Sequence, residues 1–247
     1  MLIVNADDLG RSPLATDRIF ACYANGSLSA TSAMVFMDDS ERAALVTRGS
    51  SLDIGLHLNF TEQFNHASQA IASLQSRVIR FLRKTKYSFL FYHPWLRHAF
   101  RDLVKVQLEE FQRIFGVAPT HIDGHHHMHL CSNVLAQNLI PSGSVVRRSF
   151  SFKSGEKSFW NRAYRLLLDR RVKRLYRSTD YLFSLSSSLN AGQIKHVVEQ
   201  AKVAAVELQC HPELNPEYEY LMSREWAELK STEPLSTFAS LNRGFTR

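Results

Sequence analysis

Nine consecutive residues, His121-Ile122-Asp123-Gly124-His125-His126-His127-Met128-His129, carry five imidazoles and one carboxylate. Both groups are ligands for divalent cations. In an extended chain Asp123, His125 and His127 project to one side and His126 to the other, so one face is dense in metal-ligand types. A surface histidine-rich loop that picks up metals adventitiously has the same composition. Two features favour a built site: a strand-like pattern leads into the stretch, and further ligand types stand elsewhere in the chain. Gly55-Leu56-His57-Leu58-Asn59 sets His57 and Asn59 on one face of a strand, with Leu56, Leu58 and Phe60 on the other. Asp7-Asp8 closes the first apolar run, and two adjacent carboxylates are best tolerated if one binds a cation while the other stays free. One carboxylate and two imidazoles make a facial set for a divalent ion, with open positions for water and a substrate oxygen. Such an ion polarises an amide carbonyl and lowers the pKa of water. The second carboxylate can then take the water's proton, and a histidine opposite can protonate the leaving amine.

These residues need elements that bring them to one edge. Leu2 to Ala6 reads as a buried strand, Ala15 to Tyr23 as a helix closed by Asn25-Gly26, and Leu28 to Phe36 as a second strand. Ser40 to Arg48 reads as a helix and Leu52 to Phe60 as a third strand, giving β-α-β-α-β and a parallel sheet with helices outside. Leu103 to Phe115 is an amphipathic helix feeding a strand at Thr120 to Asp123; Ala191 to Lys202 is a helix and Val203 to Cys210 a strand ended by His211-Pro212. Asp7, Asp8, His57, His125 and His211 therefore all fall at the C-terminal ends of strands, the edge where α/β folds bind ligands. Asn5, Asn59, Asp123, His127 and Glu207 lie on or beside the same strands and are the expected substrate contacts.

The chain has 247 residues, enough for one large α/β core and too few for two. Cys22, Cys131 and Cys210 are odd in number and none belongs to a CxxC pair, which excludes a thiolate zinc site and a disulfide framework. No apolar run is long enough to span a membrane, and the first residues lack a signal-peptide pattern, so the cytoplasm is the expected location. Of the Lys and Arg residues, eleven stand between Arg147 and Arg177 against only Glu156 and Asp169. Attraction to an anionic partner is thus expected from one segment, a basic helical insertion at about 147–177.

Val4-Asn5-Ala6-Asp7-Asp8-Leu9-Gly10, Gly55-Leu56-His57-Leu58, Thr120 to His129 and Cys210-His211-Pro212, in that order, resemble the YdjC-like carbohydrate deacetylases, the family of chitooligosaccharide deacetylase. The resemblance covers roughly residues 1–60, 103–135 and 203–213. It implies a single-domain, distorted or incomplete (β/α) barrel with parallel strands, a homodimer, and removal of an N-acetyl or other N-acyl group from an amino sugar, oligosaccharide or lipid-linked glycan. It further implies one divalent ion, Mg2+ or Zn2+, held by Asp8, His57 and His125, with Asp7 as general base and His211 as the catalytic acid. Where the family usually has asparagines, this chain offers Asp17 and Met37-Asp38-Asp39, and residues 63–100 lack the family's Gly-Pro-rich loop.

Ser158 to Arg177 reads as a helix with Trp160, Tyr164, Leu167, Leu168, Val172 and Leu175 along one stripe, and Arg162, Arg165, Lys173, Arg174 and Arg177 mostly off it. Such a helix covers its own barrel or lies on an anionic membrane, which would make the protein peripheral to it. No signature of nucleic-acid binding accompanies it. Two other functions compete with the deacetylase reading: a metal-dependent phosphoesterase, and a non-catalytic metal-containing binding protein on the same scaffold.

Overall fold

A computed structural model describes residues 1–151 and 159–241, with residues 159–162 as backbone only. Strand β1, Leu2–Leu9, is buried along its whole length, which explains its unbroken apolar start: a parallel strand is covered on both faces. Helix α1 (Pro13–Ala24) begins where the Ser12 side chain accepts from the Ala15 backbone N–H, with proline in the first turn. Then follow β2 (Ala30–Ala33), α2 (Ser40–Thr47), β3 (Asp53–Leu58), α3 (Gln69–Leu82) and α4 (Arg97–Phe115), the last stopped by Gly116 at φ 73°. Strand β4 (Ile122–Gly124) leads through a 3-10 segment at His125–Leu130 into α5 (Ser132–Ala136). Next come α6 (Phe159–Leu175), β5 (Tyr181–Ser184), α7 (Leu185–Asn190), α8 (Ile194–Ala201) and β6 (Val206–Cys210). The chain continues with α9 (Asn215–Leu221), α10 (Arg224–Lys230) and α11 (Phe238–Leu241).

The six strands form one sheet in the order β4-β3-β2-β1-β6-β5, and every strand pairing is parallel. This is a half-barrel, the α/β architecture with parallel strands expected from the sequence. Its gap is crossed by an irregular segment, residues 145–151. On one side Ile122 N–H donates to Val145 O and Arg147 N–H to Ile122 O; on the other Ser151 N–H donates to Leu182 O in β5. Small side chains in β2, Ala30-Thr31-Ser32-Ala33, leave room for polar groups across the middle of the sheet.

The expected strand at 28–36 is only 30–33, because Phe36 turns the chain with φ 63°, and the last expected strand begins at 206 instead of 203. The four-residue β5 is too short to show a periodicity. Helix α6 departs from the expected stripe: Val172 is buried, but Leu167 is 62% exposed and Leu166 52%. The side chains of Trp160 and Arg162 lie outside those described. Cys22, Cys131 and Cys210 are free and buried. No helix among the described residues is long and apolar enough to cross a membrane.

Candidate active site

The site lies where β1, β3, β4 and β6 end. Side chains alternate along a regular strand, so Asp7 and Asp8 would face opposite sides of the sheet. A register shift between Ala6 and Leu9, with Asp8 at φ 70°, breaks that alternation and lets both carboxylates reach the same side chains. Aspartate is among the few residues that tolerate the left-handed region. His57 and Asp123 are register partners on neighbouring parallel strands, and His57 Nδ1 lies 2.7 Å from Asp123 Oδ1. Gly55 is part of the same construction: a Cβ there would sit 2.4 Å from the buried ring of His121, whose Nε2 is 3.0 Å from Ser32 Oγ.

With Nδ1 held by Asp123, His57 turns Nε2 towards Asp8 Oδ1, 3.3 Å away. His125 Nδ1 lies 3.0 Å from the same oxygen, while its Nε2 faces Glu62 Oε2 at 3.2 Å. Asp8, His57 and His125 each offer one ligand atom, and these atoms lie within 4.8 Å of one another. Burial disfavours a charged His57, yet the charges of Asp123 and Asp7 push its pKa up to about 10. Burial likewise opposes charge on His125 and on Asp8, but their mutual hydrogen bond, with Glu62 and His57 adding to it, raises the imidazole and holds the carboxyl well below its usual range. Positive charge is thus drawn to one point by buried carboxylates, and each imidazole's other nitrogen is fixed by a carboxylate behind it. That donor set fits a divalent ion.

A second group, Asp7, His57 and Asp123, also has converging ligand atoms. It does not fit a cation, because one is already there. Arg147 is 1% exposed; Nη1 and Nη2 donate to Asp7 Oδ2 and Oδ1 at 2.7 Å each, Nη2 lies 2.7 Å from Asp123 Oδ2, and Nε donates to Glu207 Oε1 at 2.6 Å. Burial raises the Glu207 pKa to about 7 against the pull of Arg147. Gln209 Nε2 donates to Asp7 Oδ2 at 2.6 Å. His211, one third exposed at the mouth, has Nε2 3.9 Å from that same oxygen. Arg11 forms the rim by pairing with Glu62 at 2.9 Å and Glu213 at 2.8 Å.

Asp7, Asp8, His57, His125 and His211 are therefore brought together. The expected substrate contacts are mostly not at a reachable surface. Asn5 is buried and donates to Asp7 Oδ1 and Ser32 Oγ; Asn59 is buried and shapes the 59–62 turn through Thr61 N–H, Glu62 N–H and Glu62 O; Asp123 and Glu207 are buried against Arg147. These four have no exposed surface, and the bonds they make go to neighbouring protein groups, although Asn5 Oδ1 and Glu207 Oε2 find no partner among the described residues. His127 does line a cavity, but not beside Asp123 and His125 on one extended face. The strand stops at Gly124, and left-handed φ values of 53° and 58° at His126 and His127 fan the histidines apart. His126 reaches Thr61 Oγ1 (2.9 Å), His127 packs edge-on against Phe150, and His129 Nε2 meets Arg147 O (3.0 Å). Burial lowers the pKa of His121 and of His129 to about 4, which leaves both uncharged and structural.

Sequence reasoning missed Arg147, Gln209 and Glu62. Gln209 had a signal, the alternation Glu207, Gln209, His211 along β6. Arg147 was hidden among eleven cations read as one basic segment, of which it is the buried first member. Nothing local distinguishes Glu62.

The chain resembles known proteins over most of its length. It is 27% identical to the carbohydrate deacetylase of Clostridium beijerinckii over 217 residues, covering 85% of this chain and 80% of the relative. It is 28% identical to the chitooligosaccharide deacetylase of Yersinia pestis over 214 residues, covering 86% and 81%. Among solved structures, a protein of Enterococcus faecalis provisionally described as a cellobiose-phosphate cleavage protein superposes with a TM-score of 0.68 at 21% identity, covering 97% of this chain and 98% of that one. The YdjC-like protein family matches residues 1–239, and the chain belongs to that family.

Proposed function

We propose that the protein is a carbohydrate N-deacetylase, a hydrolase that splits the amide of an N-acetylated or otherwise N-acylated amino sugar into carboxylate and free amine. The observation that carries this reading is the convergence of Asp8, His57 and His125 beside a second carboxylate, Asp7, and an exposed imidazole, His211. The named activities of the Clostridium and Yersinia relatives support it. Asp8, His57 and His125 would hold one divalent ion, magnesium or zinc, which when bound supplies Lewis acidity for the amide carbonyl and acidifies water. Asp7 Oδ2 takes the proton of the attacking water. Its position is fixed by Arg147 and Gln209, which leave that oxygen 3.9 Å from both His57 Nε2 and His211 Nε2. His211 Nε2 hands a proton to the departing nitrogen, so one water is consumed and one amine and one carboxylic acid form. A phosphoesterase with two bridged cations is not supported, because the guanidinium of Arg147 fills the second carboxylate cluster.

The test is acetate and amine release from N-acetylated monosaccharides, oligosaccharides and lipid-linked sugars, by chelated protein with and without added magnesium or zinc. Asp7→Asn should bind metal normally and lose roughly 10²- to 10⁴-fold in kcat, the usual worth of a general base. Full turnover by Asp7→Asn, or phosphate release in place of acetate, overturns the assignment.

A further inference from the structure

We infer that residues 77–101, together with the exposed side of α6, form a face that docks onto the surface of an anionic lipid bilayer. Between Gln63 and Arg101 the chain has seven Lys or Arg (Arg77, Arg80, Arg83, Lys84, Lys86, Arg97 and Arg101) and not one Asp or Glu. The other 23 basic residues of the chain are matched by 23 acidic ones, so a charge equal to the whole net charge of +7 sits in this segment. Interleaved with these cations, four aromatic side chains stand in solvent: Tyr87, Phe91 (64% exposed), Tyr92 and Trp95 (82%). Large apolar groups beside unmatched cations are costly in water and suited to an interface where acyl chains meet anionic headgroups.

The two parts form one surface. The Phe89 ring lies edge-on to Tyr164 of α6 at 6.5 Å, and Tyr87, Phe89 and Leu90 share a cavity of about 320 Å³ with His126, Tyr164 and Leu168. Ser132 Oγ donates to Leu90 O, and His93 N–H to Asn133 Oδ1, so the aromatic segment is tied to α5, directly after the histidine stretch. On α6, Leu166 and Leu167 are exposed beside Arg170, Lys173 and Arg174, while Asp169, the acid of that stretch, is buried against Arg148. Exposed leucines separate a bilayer from a single-stranded nucleic acid as the occupant: bases stack on aromatic rings, but aliphatic side chains gain only by insertion among acyl chains. The cavity shared with His126 places the docked face next to the active-site mouth, since the His126 ring lies 4.1 Å from that of His125.

The full chain is mixed with vesicles of phosphatidylcholine alone and of phosphatidylcholine with phosphatidylglycerol, and bound protein is read by co-sedimentation and by tryptophan emission. No sugar substrate is needed, so the outcome is independent of the deacetylase reading. Binding should require phosphatidylglycerol, weaken with added salt, and blue-shift the emission, a shift that Trp95→Phe removes. Arg80→Ala with Lys84→Ala should weaken binding to the phosphatidylglycerol vesicles roughly 25-fold, about fivefold per cation, and Phe91→Ser with Trp95→Ser should also weaken it and do so at every salt concentration. The four positions are exposed, so far-ultraviolet circular dichroism of each variant should match the parent. Equal or absent binding to the two vesicle types, undiminished binding by these variants, or a dimer that Trp95→Ser splits while vesicles stay unbound would each overturn the inference.

Discussion

Replacing Arg147 by methionine keeps most of the side-chain volume and deletes the charge, which makes it the most direct probe of how Asp7, the proposed general base, is held. The guanidinium satisfies Asp7 twice, Asp123 once and Glu207 once, all within 2.7 Å and all away from solvent. Removing one partner from a buried ionic network leaves uncompensated charge and typically costs about 3–5 kcal/mol. For a chain of this size that corresponds to a fall in melting temperature of roughly 6–20 °C. The sign of its pH dependence follows from Glu207. Burial disfavours its ionised form and raises its pKa to about 7 even with Arg147 in place. Without the arginine it should take up a proton on folding, so the deficit should shrink as the pH falls from neutrality towards 5. The assay is urea unfolding of the metal-free protein and its Arg147→Met variant at pH 7.5 and about 5.5, with deacetylation measured in parallel. Asp7 would lose the clamp that aims Oδ2, so kcat should fall even at temperatures where the variant is folded. A variant within about 1 kcal/mol of the parent at neutral pH, with its kcat intact, would refute the argument that this network fixes the site.

Three further outcomes follow from the geometry. The pKa of His57 is pushed up to about 10 by Asp123 and Asp7, so a cation bound at Asp8, His57 and His125, as proposed, would displace a proton; affinity for magnesium or zinc should then rise about tenfold per pH unit between pH 6.5 and 9, with proton release visible in calorimetry across buffers of different ionisation enthalpy. Because the folded pKa of His57 lies above its unfolded value near 6.5, its contribution to metal-free stability is complete below pH 6.5 and vanishes as the pH rises through 10; a flat stability profile across that window would contradict it. Gly55→Ala drives a methyl group to within 2.4 Å of His121, which cannot retreat without breaking its contact with Ser32. It should cost about 1–3 kcal/mol in thermal unfolding, whereas an unchanged melt would show that the ring has room to move.

The Glu62 side chain, Arg147 and the Asp7-Asp8 pair divide what was legible from what was not. Residue type and alternation gave the parallel α/β architecture, the placing of Asp7, Asp8, His57 and His211 at or just past strand ends, and a supply of carboxylates and imidazoles suited to a divalent ion, because each of those rests on contacts within a few residues or on the repeat of a single strand; the choice of Asp8, His57 and His125 among them came from the family resemblance. The partners behind these three side chains were illegible. Arg147 is 140 residues from Asp7, and its meaning depends on segment 145–151 crossing the gap between β4 and β5. In sequence it is one cation among eleven; only burial turns it into the counter-charge of three carboxylates. The same holds for Asn5, Asn59, Asp123 and Glu207, whose types suit a ligand but whose exposure is decided by neighbours distant in the chain. Local sequence determines which groups can do chemistry at a strand end. Which of them meets solvent, and which is spent holding another, is a property of packing, since the free energy of a polar side chain depends on the atoms that replace its water.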